Sequence, residues 1–161
     1  MKFYDTSALL DLGTAVLVEP FLIADMTLYE LEDIKTSGKK DESTKAKARA
    51  VTRMLAENPM TYTVIILDPT IELSILEAYP IKNNNDGSIM AAARSYLDNL
   101  QKELNKTEEE VSDIKSLVTI EDYRKQKAEV DSFQFVTSDL SCLNLAQQVM
   151  KLPTEYTFPD A

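Results

Sequence analysis

The chain has 161 residues, of which 44% are hydrophobic and 27% charged, so it can bury the core of one folded domain and is not disordered. It contains no histidine and one cysteine, which excludes a Ser-His-Asp triad, a zinc site with histidine or clustered-cysteine ligands, and a disulfide framework within the chain. Its net charge of −10 repels polyanions over most of the surface.

The N-terminal part contains two predicted strands that each lead directly into a helix. Residues 2–4 form a short aromatic strand, and the N-cap residue types that follow place a helix start at Asp5 or Thr6. Residues 21–24 are a continuous apolar run with the length of a buried strand. The helix after them ends near Gly38, a typical C-terminal stop.

The middle of the chain contains the clearest helix and a third strand. The helix is predicted over residues 43–57, with Ser43 as its cap. Helical spacing predicts its packed face, formed by Ala46, Ala50, Val51, Met54 and Leu55. Residues 61–67 are β-branched and apolar, which predicts a strand, and a helix follows it through Tyr79.

Basic residues concentrate in residues 35–53, where seven bases against two acids leave a local charge of +5. Three of them, Lys45, Arg49 and Arg53, recur every four residues and form one ridge on the predicted helix. Such a ridge can bind a nucleic-acid backbone or an acidic partner protein, and it can equally be a solvated helix face.

The C-terminal half combines long helical patterns with one more strand. A helix begins at Asp86, and residues 101–132 are predicted as an extra helical segment in which Thr107 looks like the cap of a new helix. Residues 133–136 form the fourth strand, and a helix through Val149 follows it.

Four strands separated by helices predict an α/β domain with three layers, α/β/α, around a central, mainly parallel sheet of four or five strands. This single domain spans residues 1–152 and includes the helical segment at 101–132, while residues 153–161 form an irregular tail. In such folds helices cover both faces of the sheet, and ligands bind outside the carboxyl ends of the strands.

Four acidic residues are predicted at that edge of the sheet. Asp5 and Asp139 end the first and the last predicted strand. Glu30 lies about one turn into the helix after the second strand, and Asp86 opens the helix after an Asn-rich loop. Carboxylates about 4 Å apart repel by about 4 kcal/mol per pair at an effective dielectric of 20, so a cation is expected among them. Oxygen ligands without histidine or cysteine favour Mg²⁺ or Mn²⁺ over zinc.

Such a metal site suits the hydrolysis of a phosphodiester bond, because one or two ions lower the pKa of a bound water and neutralise charge on the leaving oxygen. Neither a side-chain nucleophile nor a histidine base is then required. Each acid also has a simpler explanation. Asp5, Asp86 and Asp139 stand where aspartate caps a helix, and Glu30 can be a surface acid.

Each of these four acids lies in a short segment, at the end of a predicted strand or near the start of a predicted helix. The segments are FYDTSALL at 3–10, MTLYEL at 26–31, NDGSIMAAA at 85–93 and FVTSD at 135–139. These segments resemble the four motifs of the PIN-domain ribonuclease family. Their order and the connecting strands agree with that family over residues 2–149, nearly the whole chain.

The resemblance implies a metal-dependent endoribonuclease that acts on single-stranded RNA and leaves 5′-phosphate and 3′-hydroxyl ends. Carried over by position, the ligands of Mg²⁺ or Mn²⁺, direct or through water, are Asp5, Glu30, Asp86 and Asp139. The residues that orient these carboxylates by hydrogen bonds are Thr6 or Ser7, and Thr137.

Two features depart from the family pattern. Residues 101–132 are longer than the family usually has between its third and fourth motifs, which indicates an added helical hairpin for oligomerisation or substrate gating. The fourth motif lacks the basic residue that often follows it. Phosphate binding is therefore assigned to Lys45, Arg49 and Arg53, together with the neighbouring lysines of the basic segment.

The expected partners are single-stranded RNA, an inhibitor protein if the chain is a toxin rather than an RNA-processing nuclease, and a second copy of the chain. The alternatives are a structure-specific DNA nuclease with the same acids and a catalytically inactive, acidic α/β binding module. No apolar run approaches the roughly 18–20 residues of a membrane span, and no signal-peptide pattern is found. The sequence therefore predicts a cytoplasmic protein without membrane contact.

Overall fold

The computed structural model describes residues 1–114 and 117–157. The helices are α1 Thr6–Leu12, α2 Asp25–Thr36, α3 Glu42–Glu57, α4 Pro69–Ala78, α5 Asn85–Ile114, α6 Leu117–Ser132 and α7 Leu140–Gln148, with a 3-10 helix at Gly13–Val18. The strands are β1 Lys2–Tyr4, β2 Phe21–Ala24, β3 Tyr62–Ile65, β4 Gln134–Thr137 and β5 Thr154–Tyr156. They form one parallel sheet in the order β3-β2-β1-β4-β5.

Helices cover both faces of the sheet. Successive side chains of each strand point to opposite faces, so each strand contributes residues to both sides. One face packs against α4, α5 and α7 and includes Phe3, Leu22 and Phe135. The other face packs against α1, the 3-10 helix, α2 and α3, and includes Tyr4, Ile23 and Val136. The predicted three-layer α/β/α fold around a parallel sheet is confirmed.

The order of the strands makes β1 the centre of the sheet. The chain runs from β1 through β2 to β3 on one side, and β4 and β5 lie on the other side. The direction of the strand order therefore reverses at β1, and such a switch point opens a crevice at the carboxyl ends of the adjacent strands. Asp5 follows the last residue of β1, and its backbone N–H donates to the Val136 carbonyl of β4 at 3.0 Å.

Helix α3 is present, but its cap and its packed face differ from the prediction. Asp41, not Ser43, caps the helix, because its Oδ1 accepts the Thr44 N–H at 2.7 Å. The buried side packs between α1 and α2, so the exposed Ala46 and Ala50 do not belong to it. The residues buried there are Ala48, Val51, Met54 and Leu55.

The predicted extra helical segment is present as the C-terminal part of α5, which packs against α6. Helix α5 continues for 30 residues, and α6 packs against it and leads into β4. The predicted helix start at Thr107 is wrong, because Thr107 is buried within α5 and its hydroxyl donates to the Glu103 carbonyl at 3.1 Å. Residues 115–116 of this segment lie outside the described residues. Within the described ranges, no helix combines the length and the apolar character of a membrane span.

The tail contains a fifth strand, which corrects the prediction of an irregular segment from residue 153. Residues 154–156 form the edge strand β5, which pairs with β4. The Phe135 N–H donates to the Pro153 carbonyl at 2.8 Å, and an ion pair of 2.9 Å joins Lys2 to Glu155. A three-residue strand beside a proline has little periodicity of its own, and backbone pairing with β4 stabilises it. Residues 158–161 of the predicted tail lie outside the described residues.

Candidate functional site

Asp5 occupies the centre of the carboxyl edge of the sheet. Its Oδ1 accepts the Ser7 hydroxyl at 2.8 Å and the Ala8 N–H at 2.9 Å, and its Oδ2 accepts the Thr137 hydroxyl at 2.5 Å. The Ala8 bond makes Asp5 the cap of α1. The side chain is buried, with 4% of the residue exposed, so three donors hold the carboxylate in one orientation.

The two hydroxyls around Asp5 connect the ends of β1 and β4. Ser7 Oγ accepts the Ser138 N–H at 3.1 Å, and Thr137 Oγ1 accepts the Asp139 N–H at 3.1 Å. Each hydroxyl thus donates to Asp5 and accepts from the turn that carries Asp139. This network places the predicted orienting residues Ser7 and Thr137 in direct contact with Asp5.

The Asp5 carboxyl binds its proton unusually tightly. Burial raises its pKa from an ordinary 3.8 to about 6, and the charge of Asp86 acts in the same direction, while the bonds from Thr137, Ala8 and Ser7 lower it. The desolvation of the carboxylate therefore outweighs three favourable hydrogen bonds. A nearby cation would therefore stabilise the ionised form of Asp5.

Glu30 is the second acid of the site and lies half-buried in the second turn of α2. Its Oε1 accepts the Thr6 hydroxyl at 2.7 Å, and Thr6 in turn contacts the buried Thr27 hydroxyl at 3.1 Å. Burial raises the pKa of Glu30, the charge of Asp86 raises it further, and hydrogen bonds from Thr6 and Asn85 lower it. Thr6 therefore orients Glu30, whereas Ser7 and Thr137 orient Asp5.

Asp86 is exposed in the first turn of α5, close enough to act on both other acids. The cap of this helix is Asn84, whose Oδ1 accepts the Gly87 N–H at 2.8 Å, so Asp86 is not used as a cap. Gly87 allows the close turn, because a Cβ at this position would lie 2.1 Å from the Lys82 carbonyl oxygen. The simpler reading of Asp86 as a helix cap does not hold.

Asp139 is the exposed cap of α7. Its Oδ1 accepts the N–H groups of Ser141 at 2.8 Å and Cys142 at 3.2 Å. Burial raises the pKa of the Cys142 thiol, and the charges of Asp86, Asp139 and Asp5 raise it further, with a hydrogen bond between the thiol and Asp86. Cys142 therefore has three of the four predicted acids around it.

The four carboxylates share one edge of the sheet but do not form a tight cluster. In the part of the chain that the structure describes, no three or more acidic or thiol side chains are arranged to hold one metal ion. The donor chemistry nevertheless fits Mg²⁺ or Mn²⁺, because the acids offer only hard oxygen ligands and the two most buried ones lack a compensating charge. Mg²⁺ is usually bound through one or two carboxylates and keeps several waters, so direct contact with all four acids is not required.

An open groove of about 230 Å³ runs beside Glu30. It is lined by Glu30, Asp33, Ile34, Ser37, Lys40 and Asn85. A second depression adjoins it along Asn84, Asn85 and Asp86.

The sequence prediction missed Asn85 and Thr27 as site residues. The Asn-rich loop before α5 was the available signal for Asn85, and no local pattern distinguishes Thr27 from a core threonine.

The basic ridge leads away from the acids. Helix α3 runs back toward the start of β3, so at 1.5 Å per residue Arg49 and Arg53 lie about 6 and 12 Å farther along it than Lys45. Arg49 and Arg53 are exposed, and Lys45 pairs with Glu42 at 3.5 Å. The base that borders the acidic groove is Lys40, in the loop before α3.

Compared with family models, with curated proteins and with solved structures, the chain matches none of them. Its functional interpretation therefore rests on the residues of this chain.

Proposed function

We propose that this protein is a Mg²⁺- or Mn²⁺-dependent endoribonuclease that hydrolyses phosphodiester bonds of single-stranded RNA. The observation that carries the proposal is geometric: hydroxyl groups hold Asp5 and Glu30 at the carboxyl edge of the sheet, and Asp86 lines the same depression as Glu30. Three acids from distant parts of the chain thus lie at the edge where a parallel α/β fold binds its ligands. The motif resemblance to PIN-domain ribonucleases supports the same activity.

The protein residues have distinct tasks in this proposal. Asp5, Glu30, Asp86 and Asp139 would hold the ion directly or through water. When bound, the ion would lower the pKa of a water and neutralise charge at the phosphate. Thr6 keeps Glu30 in position, and Ser7 and Thr137 keep Asp5 in position. Lys40 offers a positive charge to an RNA phosphate in the groove.

A catalytically inactive binding module is the second candidate. It is favoured by the use of Asp5 and Asp139 as helix caps and by the lack of a preformed three-acid metal group among the described residues.

A structure-specific DNA nuclease shares the acids of the first proposal, and parallel assays on RNA and flapped DNA separate the two. An inhibitor protein, a second copy of the chain as partner and a cytoplasmic location stay predictions. Light scattering at several concentrations tests self-association.

The deciding experiment is cleavage of a labelled single-stranded RNA with Mn²⁺, Mg²⁺ or EDTA. We expect cleavage only with metal and a loss of at least about 10²-fold in Asp5→Asn and Asp86→Asn, the scale seen when charge-stabilising groups are removed. Asp68→Asn is the matched control, because Asp68 caps α4 outside the acidic site and asparagine is an equally good cap. Metal-dependent cleavage that is unchanged in both site variants would overturn the assignment. No cleavage of either nucleic acid would favour the binding module.

A further inference from the structure

The outer side of α3 is an exposed basic surface on a chain whose net charge is −10. The residues of this basic face are Ala46, Lys47, Arg49, Ala50 and Arg53. Within the described part of the chain, its three bases form no ion pair with any acid. The two alanines leave space between the longer side chains, so a partner can come close to the helix. The charge of the face selects an acidic partner.

The far end of the α5–α6 pair has the opposite charge. The Tyr123 hydroxyl of α6 donates to Glu108 Oε1 of α5 at 3.3 Å, so the end of α5 and the start of α6 lie side by side. The described residues there, 107–111 and 120–123, include five exposed acids and no base. The residues of this acidic end are Glu108, Glu109, Glu110, Glu121 and Asp122. Their mutual repulsion is relieved when a basic surface comes near.

The sheet separates these two surfaces within one molecule. Helix α3 packs on one face of the sheet, and α5 packs on the other face. Helix α6 has 16 residues and is therefore about 24 Å long. It ends at Ser132, just before β4 begins, so its acidic start is carried about that far from the edge at which the strands begin. A contact between the acidic end and the basic face therefore requires two copies of the chain.

We propose that the acidic end of one copy docks on the basic face of α3 in a second copy. Opposite charge is the argument for this occupant, and a second copy supplies both surfaces in equal number. Two reciprocal contacts, each joining an acidic end to a basic face, close a symmetric dimer. The inference goes beyond the proposed function, because the contact involves neither a metal ion nor the acids at the carboxyl edge of the sheet.

Sedimentation equilibrium of the full chain at two salt concentrations is the first test. The distance over which charges act falls from about 10 Å at 0.1 M salt to about 3 Å at 1 M. We therefore expect a dimer at the lower concentration and dissociation at the higher one. A chain that stays monomeric throughout the micromolar range at 0.1 M salt, or a dimer that is equally stable at 1 M, would overturn the proposal.

A charge exchange between the two surfaces is the deciding test. The double variant Arg49→Glu/Arg53→Glu reverses the basic face, and Glu109→Lys/Glu110→Lys reverses the acidic end. Each variant alone should self-associate at least about 10-fold more weakly, because like charges then oppose each other. An equimolar mixture should form dimers again, since each reversed surface meets its opposite on the other variant. Unchanged association of either variant, or a mixture that stays monomeric, would contradict the pairing.

Lys102→Glu/Lys106→Glu is the matched control. It changes the net charge as much as the arginine double variant does, but both lysines are exposed on α5 outside the two surfaces. It should dimerise clearly more strongly than the arginine variant. Equal weakening of the two would show that overall charge alone controls association. All these positions are exposed, so melting temperatures should change little.

RNA phosphates are the competing occupant of the basic face. Binding of a labelled single-stranded RNA is measured in EDTA for the parent protein and for Arg49→Glu/Arg53→Glu. A monomeric parent whose RNA binding is lost in this variant would assign the face to nucleic acid and overturn the proposal.

The failure of this inference is distinguishable from the failure of the proposed function. A dimer with restored charge exchange but no cleavage under any metal condition would keep the interface and remove the nuclease. Metal-dependent cleavage by a chain that is monomeric at 0.1 M salt would keep the nuclease and remove the interface.

Discussion

Thr137 Oγ1 donates a 2.5 Å hydrogen bond to Asp5 Oδ2, which joins two residues 132 positions apart in the chain. The bond links the end of β4 to the end of β1, and both side chains are buried. The same hydroxyl accepts the Asp139 N–H at 3.1 Å. One side chain therefore positions two of the acids in the candidate site.

Removal of this hydroxyl should destabilise the protein. Thr137→Val keeps the shape but leaves a buried carboxylate oxygen and the Asp139 N–H without their partner, and each such loss typically costs about 1–3 kcal/mol. Thr137→Ser is the control, since it keeps the hydroxyl and removes one methyl group. Urea unfolding at pH 8 should show a clearly larger loss for the valine variant, and equal losses would contradict a role for the bond.

The raised pKa of Asp5 predicts that stability falls as the pH rises. Asp5 has a pKa of about 6 in the folded protein against an ordinary 3.8, so between these values the folded state binds more protons than the unfolded state. The stability from this group is fully present below about pH 4 and is lost as the pH rises through 6. At about 1.4 kcal/mol per pKa unit, the cost at pH 8 is roughly 3 kcal/mol.

Asp5→Asn isolates this contribution, because the amide cannot ionise. In urea unfolding without metal, the variant should be more stable than the parent protein at pH 8 and close to it at pH 4. A variant that is less stable than the parent at pH 8 would show that the hydrogen bonds of the carboxylate outweigh its desolvation.

Metal binding should stabilise the protein at pH 8 and not at pH 5. Mn²⁺ competes with the proton on Asp5, whose pKa is about 6, so the ion binds weakly at pH 5, and the raised pKa of Glu30 acts in the same direction. At a concentration of 100 times Kd, a ligand of the folded state adds about 2.7 kcal/mol. Thermal unfolding should show the shift in the parent protein and in Asp68→Asn but not in Asp86→Asn. The absence of any shift at pH 8 would contradict a cation site.

Gly87→Ala should disturb the turn that carries Asp86. A Cβ at this position would lie 2.1 Å from the Lys82 carbonyl oxygen, so the backbone must move although alanine favours helices. Forcing extra atoms into packed structure typically costs about 1–3 kcal/mol, and RNA cleavage should fall because Asp86 is displaced. Gly38→Ala is the control, since nothing lies within 4 Å of its Cβ position. Similar stability and activity in both variants would contradict this account.

Four of the five strands and the two strand-end acids were predictable from local sequence. Strands β1 and β2 have the predicted bounds, and Asp5 and Asp139 follow strands as expected. A short apolar run followed by a capping residue is a signal contained in a few neighbouring positions. The strand β5 and the uninterrupted course of α5 were missed, because pairing with β4 and packing against α6 involve residues far away in the chain.

By itself, the sequence determined the layer architecture, since alternating strands and helices leave few ways to bury both faces of a parallel sheet. It also determined which edge of the sheet carries the acids. Only the tertiary structure decided that Asp5 is buried, that Asp86 is released from capping by Asn84, and that the charge of Asp86 raises the pKa of both Asp5 and Glu30. Burial and electrostatic coupling depend on distances between segments that local sequence patterns do not encode, so these properties arise only when the helices close over the sheet.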